Sequence, residues 1–432
     1  MRSRIGQIII WLMVLISIVL WLASKEDLYA LQSNPVKSLN QLAAIVGATL
    51  ILIQAILATR IRIFERLFGG LDEMYKAHRI SGTLGLAIIV EHPVMLILNV
   101  LPQYESAQRY LLPGLAGLDY TSGIIALYSL LLLIMITLFL KLPYHIWKWT
   151  HILMFIPAIF ILIHLFTINS DIATFLPLRI WLLGLASFAI FSSIYIRFFY
   201  NILAPKYKYR VISVKVQANV VEIQMAPEGK AIKFQAGQFI YLELKDAGIS
   251  SEKHPFSIMS APGSEVLEIA VKMDGDYTKS LKNLKQGAGA VIYGPYGQFG
   301  HAYNNMGEVQ VWIAGGIGIT PFISLLRNEK QYQSNKRIYL YYCVRSEEEA
   351  LFDERIRASL HNNGNIQYLL RCSVIAGRLD IPAIMNDLKN DIPKAQFLLC
   401  GPRPMMEALQ EQLILKGITR SKIFYEDFSL LG

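Results

Sequence analysis

Residues 76–99 read KAHRISGTLGLAIIVEHPVMLILN, an apolar segment long enough to cross a bilayer that still carries His78 near one end and His92 near the other. An ionisable side chain inside a membrane span is costly and marks function by default. Residues 151–164, HILMFIPAIFILIH, repeat the device with His151 and His164. The offsets are 14 and 13 residues, which at ~1.5 Å rise is about 20 Å along each helix. At ~100° per residue both members of a pair point the same way within a broad sector. Two such helices side by side, running in the same direction, offer two levels of facing imidazoles. A pair of neutral imidazole nitrogens on opposite faces of a planar macrocycle suits haem iron. The expected ligand sets are His78 with His151 and His92 with His164. One transmembrane histidine is as readily a packing hydrogen-bonder; two pairs at near-equal spacing are much harder to obtain by accident.

The 432 residues are 54% hydrophobic, with mean hydropathy +0.40, but the average hides a split near residue 200. Before it lie six apolar runs of spanning length, near 5–23, 40–58, 77–99, 121–140, 146–168 and 178–199. The first follows MRSR and reads as an uncleaved anchor, because its apolar core is long and no clear cleavage site follows. Arg2, Arg4, Arg60, Arg62, Arg66, Lys76, Arg79, Lys141, Lys148, Arg197, Lys206, Lys208 and Arg210 gather on one side of the spans; only Lys25, Lys37, Arg109 and Arg179 fall on the other. The positive-inside rule then puts both termini in the cytoplasm and this chain in the cell membrane as a multi-pass protein. The net charge of +9 is explained by that topology, and no basic stripe interleaved with aromatics suggests nucleic acid. Cys343, Cys372 and Cys400 form no CxxC pair. A disulfide framework, a zinc site and an iron–sulfur cluster all lack support.

From Tyr207 onward short β-rich runs (YRVISVKV, NVVEIQM, GQFIYLEL, VLEIAVKM) separated by turn residues suggest an antiparallel barrel. Within it lie His254-Pro255-Phe256-Ser257, then GDYTKSL at 275–281, then GPYGQF at 294–299. An aromatic followed by a hydroxyl can lie against a flavin ring and hydrogen-bond its reactive nitrogen. Thr278, at a helix start, can cradle a pyrophosphate. Residues 309–328, VQVWIAGGIGITPFISLLRN, read as strand, glycine-rich turn and helix, where Gly315, Gly316 and Gly318 allow close backbone approach and the helix N-terminus can receive phosphate. A βαβ rhythm follows. Arg345-Ser346 ends one of its strands and can bind a ribose 2′-phosphate; Cys400-Gly401-Pro402 ends a later one, where open parallel sheets place their ligands.

The order HPFS, GDYT, GPYG, GGIGITP, CGP resembles the ferredoxin–NADP reductase superfamily. Joined to six spans with two histidine pairs, the whole chain resembles the NADPH oxidase/ferric reductase family, most closely its compact bacterial members, which lack N-terminal calcium-binding domains. The resemblance implies three parts: a six-helix transmembrane haem bundle over 1–204, a cytosolic antiparallel β-barrel FAD domain over 207–302 and an α/β Rossmann-like NAD(P)H domain over 307–432. It implies electron transport by a flavoprotein with FAD and two b-type haems, from NADPH (or NADH) to an external acceptor. That acceptor would be oxygen, giving superoxide, or a ferric or cupric chelate. Membrane lipid is the expected surrounding; no nucleic acid and no obligatory protein partner is expected.

Carried over residue by residue, His254, Pro255, Phe256 and Ser257 match the FAD motif, Lys272 the basic residue near the pyrophosphate and Thr278 the threonine after GDY. Gly315, Gly316, Gly318, Thr320 and Pro321 match the dinucleotide turn; Arg345 and Ser346 rest on the residue reading alone, where the acidic run Glu347–Glu349 also suits a solvated strand end. Cys400, Gly401 and Pro402 match the nicotinamide end, and Phe428 the C-terminal aromatic that shields the flavin. Phe256, Ser257, Cys400 and Phe428 are thereby the expected catalytic set. Position 96 is leucine where eukaryotic oxidases of the family carry a further histidine.

Overall fold

The computed structural model describes residues 5–59, 61–100, 104–140, 142, 144–203, 205–332, 334–360 and 364–426. The chain divides into two compact units, one drawn from residues up to Ala204 and one from Pro205 onward, with the short Gly69–Asp72 stretch counted in the second.

In the first unit, six helices among the described residues are long and apolar enough to cross a membrane. They are Ile5–Ala23, Pro35–Leu57, Leu71–Val100, Leu118–Phe139, Trp149–Thr167 and Leu176–Phe199, here termed spans 1 to 6. The shortest has 19 residues, about 28 Å of helix, close to the hydrocarbon thickness. Pro93 lies inside span 3 without ending it. The run expected near 146–168 is span 5, and it carries an internal break: Tyr144–Ile152 and Phe155–Thr167 are joined by a tight turn in which Met154 N–H donates to His151 O at 3.1 Å. The cause is Pro157, which has no N–H for the Leu153 carbonyl and is tolerated only in the first turn of the second piece.

Packing in lipid relies on small and polar residues, because apolar surfaces gain little by leaving lipid for one another. A Cβ on Gly47 would stand 2.8 Å from Ile89 N, and one on Gly85 2.8 Å from Leu50 Cβ, so spans 2 and 3 touch through glycine. Trp181 Nε1 donates to Ser17 Oγ at 2.8 Å, and Ser17 shares a 2.9 Å bond with Thr49. This ties spans 1, 2 and 6 with bonds that water does not contest.

The second unit has two lobes. The strands of the first are β1 (Lys206–Gln217), β2 (Val220–Pro227), β3 (Phe239–Lys245), β4 (Lys253–Ser257), β5 (Leu267–Lys272) and β6 (Gly289–Tyr296). They form a six-stranded antiparallel sheet in the order β4-β3-β6-β1-β2-β5. Just past β4, Met259 N–H donates to Glu268 O on β5 at 2.8 Å, linking the two ends of that order. The strands of the second lobe are β7 (Val309–Gly315), β8 (Arg337–Val344), β9 (Ile366–Cys372), β10 (Gln396–Cys400) and β11 (Ile423–Tyr425). They form a parallel sheet in the order β11-β10-β7-β8-β9. All seven residues of β7 are buried, as a central strand covered on both faces requires. The chain builds outward from β7 on one side and returns to β10 on the other, so the topological switch lies between them, where open α/β sheets bind ligands.

Polar ties join the lobes. Ser324 Oγ donates to Ser260 O at 2.6 Å, Arg327 meets Glu268 at 2.6 Å, and Arg355 grips both carboxylate oxygens of Glu222 at 2.9 and 3.2 Å.

Candidate functional site

Within the membrane unit the structure brings His78 and His151 together, with ring centroids 6.1 Å apart and planes at 66°. Two imidazoles bonded to one metal at about 2 Å each have ring centres about 6 Å apart. Trp147 stacks on His151 at 5.2 Å and 11°. The Nδ1 atoms of both rings are buried without a hydrogen-bond partner among the described residues. The Gln54 carbonyl lies beside His78 without bonding geometry to its Nδ1. His92 and His164 are electrostatic neighbours, and their Nδ1 atoms are bonded: His92 to Asn40 Oδ1 at 2.7 Å, His164 to the Asp119 carbonyl at 2.7 Å. A Cβ on Gly123 would stand 2.9 Å from His164 Nδ1, so glycine there lets span 4 close on the ring. The four histidines offer ring nitrogens at both levels: the His78–His151 separation fits a haem between them, and His92 with His164 supplies the same donor set. Arg79 and Glu91 are exposed on span 3.

In the antiparallel lobe, β4 carries the HPFS motif beside β3, with Pro255 opposite Tyr241, Phe256 opposite Ile240 and Ser257 opposite Phe239. Phe256 is buried. The His254 ring lies on Tyr277 at 3.8 Å and its Nε2 meets Glu252 at 2.9 Å. Tyr277 Oη is buried with no hydrogen-bond partner among the described residues, and burial, reinforced by Glu252 and Glu243, holds the phenol neutral well above its ordinary range. A polar atom left orphaned beside the HPFS strand fits a bound group with an acceptor there. Thr278 spends its hydroxyl locally, accepting from Gly275 N–H at 2.9 Å. Lys272 meets Asp274 at 3.3 Å at the exposed end of β5.

The parallel lobe presents a backbone-lined cradle at its switch point. A Cβ on Gly318 would lie 2.4 Å from the Cys400 carbonyl oxygen, and one on Gly401 2.9 Å from Gly315 Cα. Gly315 faces Pro402 and Met405 at 2.7 Å by the same test. Gly316, at φ +53, opens onto free space, a conformation glycine adopts without a Cβ penalty. The helix Thr320–Tyr332 starts directly after this turn, with Thr320 buried and Pro321 in its first turn. Cys400 is buried and its thiol is pushed far up by burial and by nearby Glu426, so it is neutral. Arg345 is exposed at the end of β8, with its N–H on Glu349, and Ser346 follows it.

The motifs form a connected set. Gly297, at φ +96, packs against Phe239, the partner of Ser257; its other neighbour is Glu426 Oε1, 2.7 Å from a Cβ placed there. Glu426 is buried and accepts from Gln298 and Phe299 N–H at 2.8 and 3.2 Å. Phe428 lies outside the described residues. Asn40, Gly123, Tyr277 and Glu426 are the site residues that sequence reading passed over. A polar residue at the rim of a span was the available signal for Asn40; nothing local distinguishes Glu426.

Three family models match the chain: a ferric reductase like transmembrane component over 43–163, an FAD-binding domain over 206–317 and an oxidoreductase NAD-binding domain over 312–411. The chain is 26% identical over 233 residues to the reductase component of propane 2-monooxygenase from Rhodococcus jostii (strain RHA1), covering 49% of this chain and 60% of that protein. It is 27% identical over 176 residues to dual oxidase 2 of Rattus norvegicus, covering 35% of this chain and 11% of that one. In fold it is similar to the flavohemoglobin of Malassezia yamatoensis, solved with bound FAD and heme. That likeness has a TM-score of 0.52 at 19% identity, over 92% of this chain and 97% of that one.

Proposed function

We propose that this chain, a member of the NADPH oxidase/ferric reductase family with a soluble half of the ferredoxin–NADP reductase type, is a transmembrane NAD(P)H oxidase that delivers single electrons to oxygen outside the cell, giving superoxide. The observation that supports this reading is the close His78–His151 ring pair, with His92 and His164 near enough to interact electrostatically, in the same chain as the nucleotide cradle. When bound, FAD accepts a hydride and two haems carry its electrons one at a time.

The residues divide the remaining work. Gly315, Gly318 and Gly401 let the two turns of the cradle close on one another, Gly316 opens onto the space a nicotinamide dinucleotide would take, and the helix opening at Thr320 and Pro321 offers its N-terminus to phosphate. Arg345 and Ser346 meet a 2′-phosphate, and Pro402 closes the nicotinamide end. Cys400, kept neutral, adds no charge beside a hydride path. His254, Pro255, Phe256 and Ser257 line a flavin, with Ser257 as hydrogen-bonder and Phe428 as the shielding aromatic; Lys272 and Thr278 stand at its phosphates. The four histidines supply neutral Nε2 lone pairs. Two histidines at each level would hold a haem, which would supply single electrons to an acceptor without binding it. The cytoplasm holds the soluble half and the cell membrane the spans.

A second reading, reduction of ferric or cupric chelates, is favoured by Leu96, which removes a polar group near the outer level. A reduced-minus-oxidised spectrum with haem quantitation, run beside NADPH- and NADH-driven rates with oxygen and with a ferric chelate, tests both. Two haems and superoxide dismutase-sensitive cytochrome c reduction are expected; faster turnover of the chelate transfers the assignment to the second reading, and absence of haem ends both.

A further inference from the structure

The two histidine levels are built differently. Asn40 is buried on span 2 and makes two bonds to one residue: its Nδ2 donates to the His92 carbonyl at 2.7 Å, and its Oδ1 faces His92 Nδ1 at 2.7 Å. A backbone carbonyl can only accept, so the amide nitrogen must be the atom facing it. The amide oxygen therefore faces Nδ1, and Nδ1 must carry the proton. The lone pair is thereby fixed on Nε2. The Asp119 carbonyl imposes the same tautomer on His164. At the other level neither Nδ1 has a hydrogen-bond partner among the described residues; the Gln54 carbonyl lies beside His78, and Trp147 stacks on His151.

We propose that Asn40 is a positioning residue for the haem held between His92 and His164, and that it lowers the reduction potential of that haem alone. Resting on the two-haem reading above, this follows from the chemistry of the second bond. An imidazole whose Nδ1–H is donated to a carbonyl oxygen becomes a more basic ligand through Nε2, and a more basic ligand favours ferric over ferrous iron. The second amide bond, to the backbone of the same residue, keeps the ring from swinging away with its side chain. The His78/His151 level lacks such a brace and is indifferent to Asn40.

The test is a redox titration of the purified, haem-replete full chain, followed by absorbance and electron paramagnetic resonance, in wild type, Asn40→Leu and Asn40→Asp. In Asn40→Leu one of two titrating components is expected to move positive while the other holds. A tenfold loss of preference for ferric iron reads as about 59 mV for one electron. Asn40→Asp keeps an acceptor for Nδ1 and leaves that component at or below its wild-type position. Loss of one haem, and not both, from Asn40→Leu also supports the assignment. If Asn40→Leu does not accumulate, Asn40→Ser, which stays polar but is too short to bridge, takes its place with the same expected sign. Two haems with unshifted components, a joint shift of both, or an Asp variant that moves with Leu overturns the inference. Failure of the two-haem reading shows in the wild type itself, as fewer than two haems per chain.

Discussion

Glu426 Oε1 accepts the Gln298 N–H at 2.8 Å across 128 residues of sequence. That bond carries the end of the last strand back to the turn following β6, and the same oxygen also takes the Phe299 N–H at 3.2 Å. One buried carboxylate thereby satisfies two amides of the GPYGQF turn beside Gly297 and, through its charge, raises the Cys400 thiol.

Glu426→Ala leaves both amides short of their acceptor, and is expected to cost about 1.5–3 kcal/mol, the range for hydrogen bonds to charged groups. Flavin retention should fall with it. Thermal unfolding and bound-flavin absorbance of the purified chain check this; an unchanged midpoint with full flavin would show the carboxylate is not needed there.

Gly318→Ala pushes a methyl into a main-chain carbonyl at 2.4 Å, which no rotamer change relieves. A loss of about 1–3 kcal/mol is expected, with weaker NADPH binding. Gly316→Ala meets no atom and suffers only its positive φ, about 1–2 kcal/mol. Nucleotide titrations of the two variants should separate, with Gly318→Ala much the weaker.

Gly123→Ala would set a carbon 2.9 Å from His164 Nδ1 and 3.1 Å from Cε1. The ring must turn and lose its bond to Asp119 O. Haem content is expected to drop from two toward one per chain, with the His78/His151 level retained; pyridine haemochrome assay gives the count. Two haems in the variant would show that the ring accommodates the methyl.

The Arg355–Glu222 pair is bidentate but its arginine side chain is 39% exposed. A coupling of about 1 kcal/mol or less is therefore expected, smaller at high salt. A double-mutant cycle with Arg355→Ala and Glu222→Ala measures it at low and high ionic strength.

The half-buried Cys343 has its thiol pushed up to about 12 by desolvation, against the pull of Arg371. An unfolded thiol titrates near 8.5. Above that pH the unfolded chain binds fewer protons than the native one, so stability falls as pH rises toward 12. Tyr341, Tyr342 and Tyr368, all raised chiefly by burial, add to the slope above pH ~10. Unfolding midpoints measured from pH 8 to 11 should decline steadily, on the order of 1 kcal/mol per pH unit for each such group; a flat profile would contradict the protected thiol and phenols.

The six spans and the two kinds of sheet were legible in the chain because each is written as a local period. An apolar run of spanning length has one low-energy form in lipid, the helix that satisfies its own backbone. Short alternating runs and the strand–glycine–helix rhythm of 309–328 likewise announce their elements. The His78–His151 and His92–His164 spacing belongs to the same class, since helical rise alone sets two levels. What the period did not carry was the interruption at Leu153 and Met154, where Pro157 withholds one donor and the span breaks.

Contacts between distant stretches had no such script. That Asn40 braces His92 while His78 and His151 go without, that Gly123 admits His164, and that Glu426 reaches Gln298 were decided only when helices and strands packed. Sequence patterns report which face of an element is apolar, which is a one-body property. The partner of a buried polar atom is a property of two surfaces meeting at fixed register, and for Asn40 and His92 those surfaces are spans 2 and 3, which meet through Gly47 and Gly85.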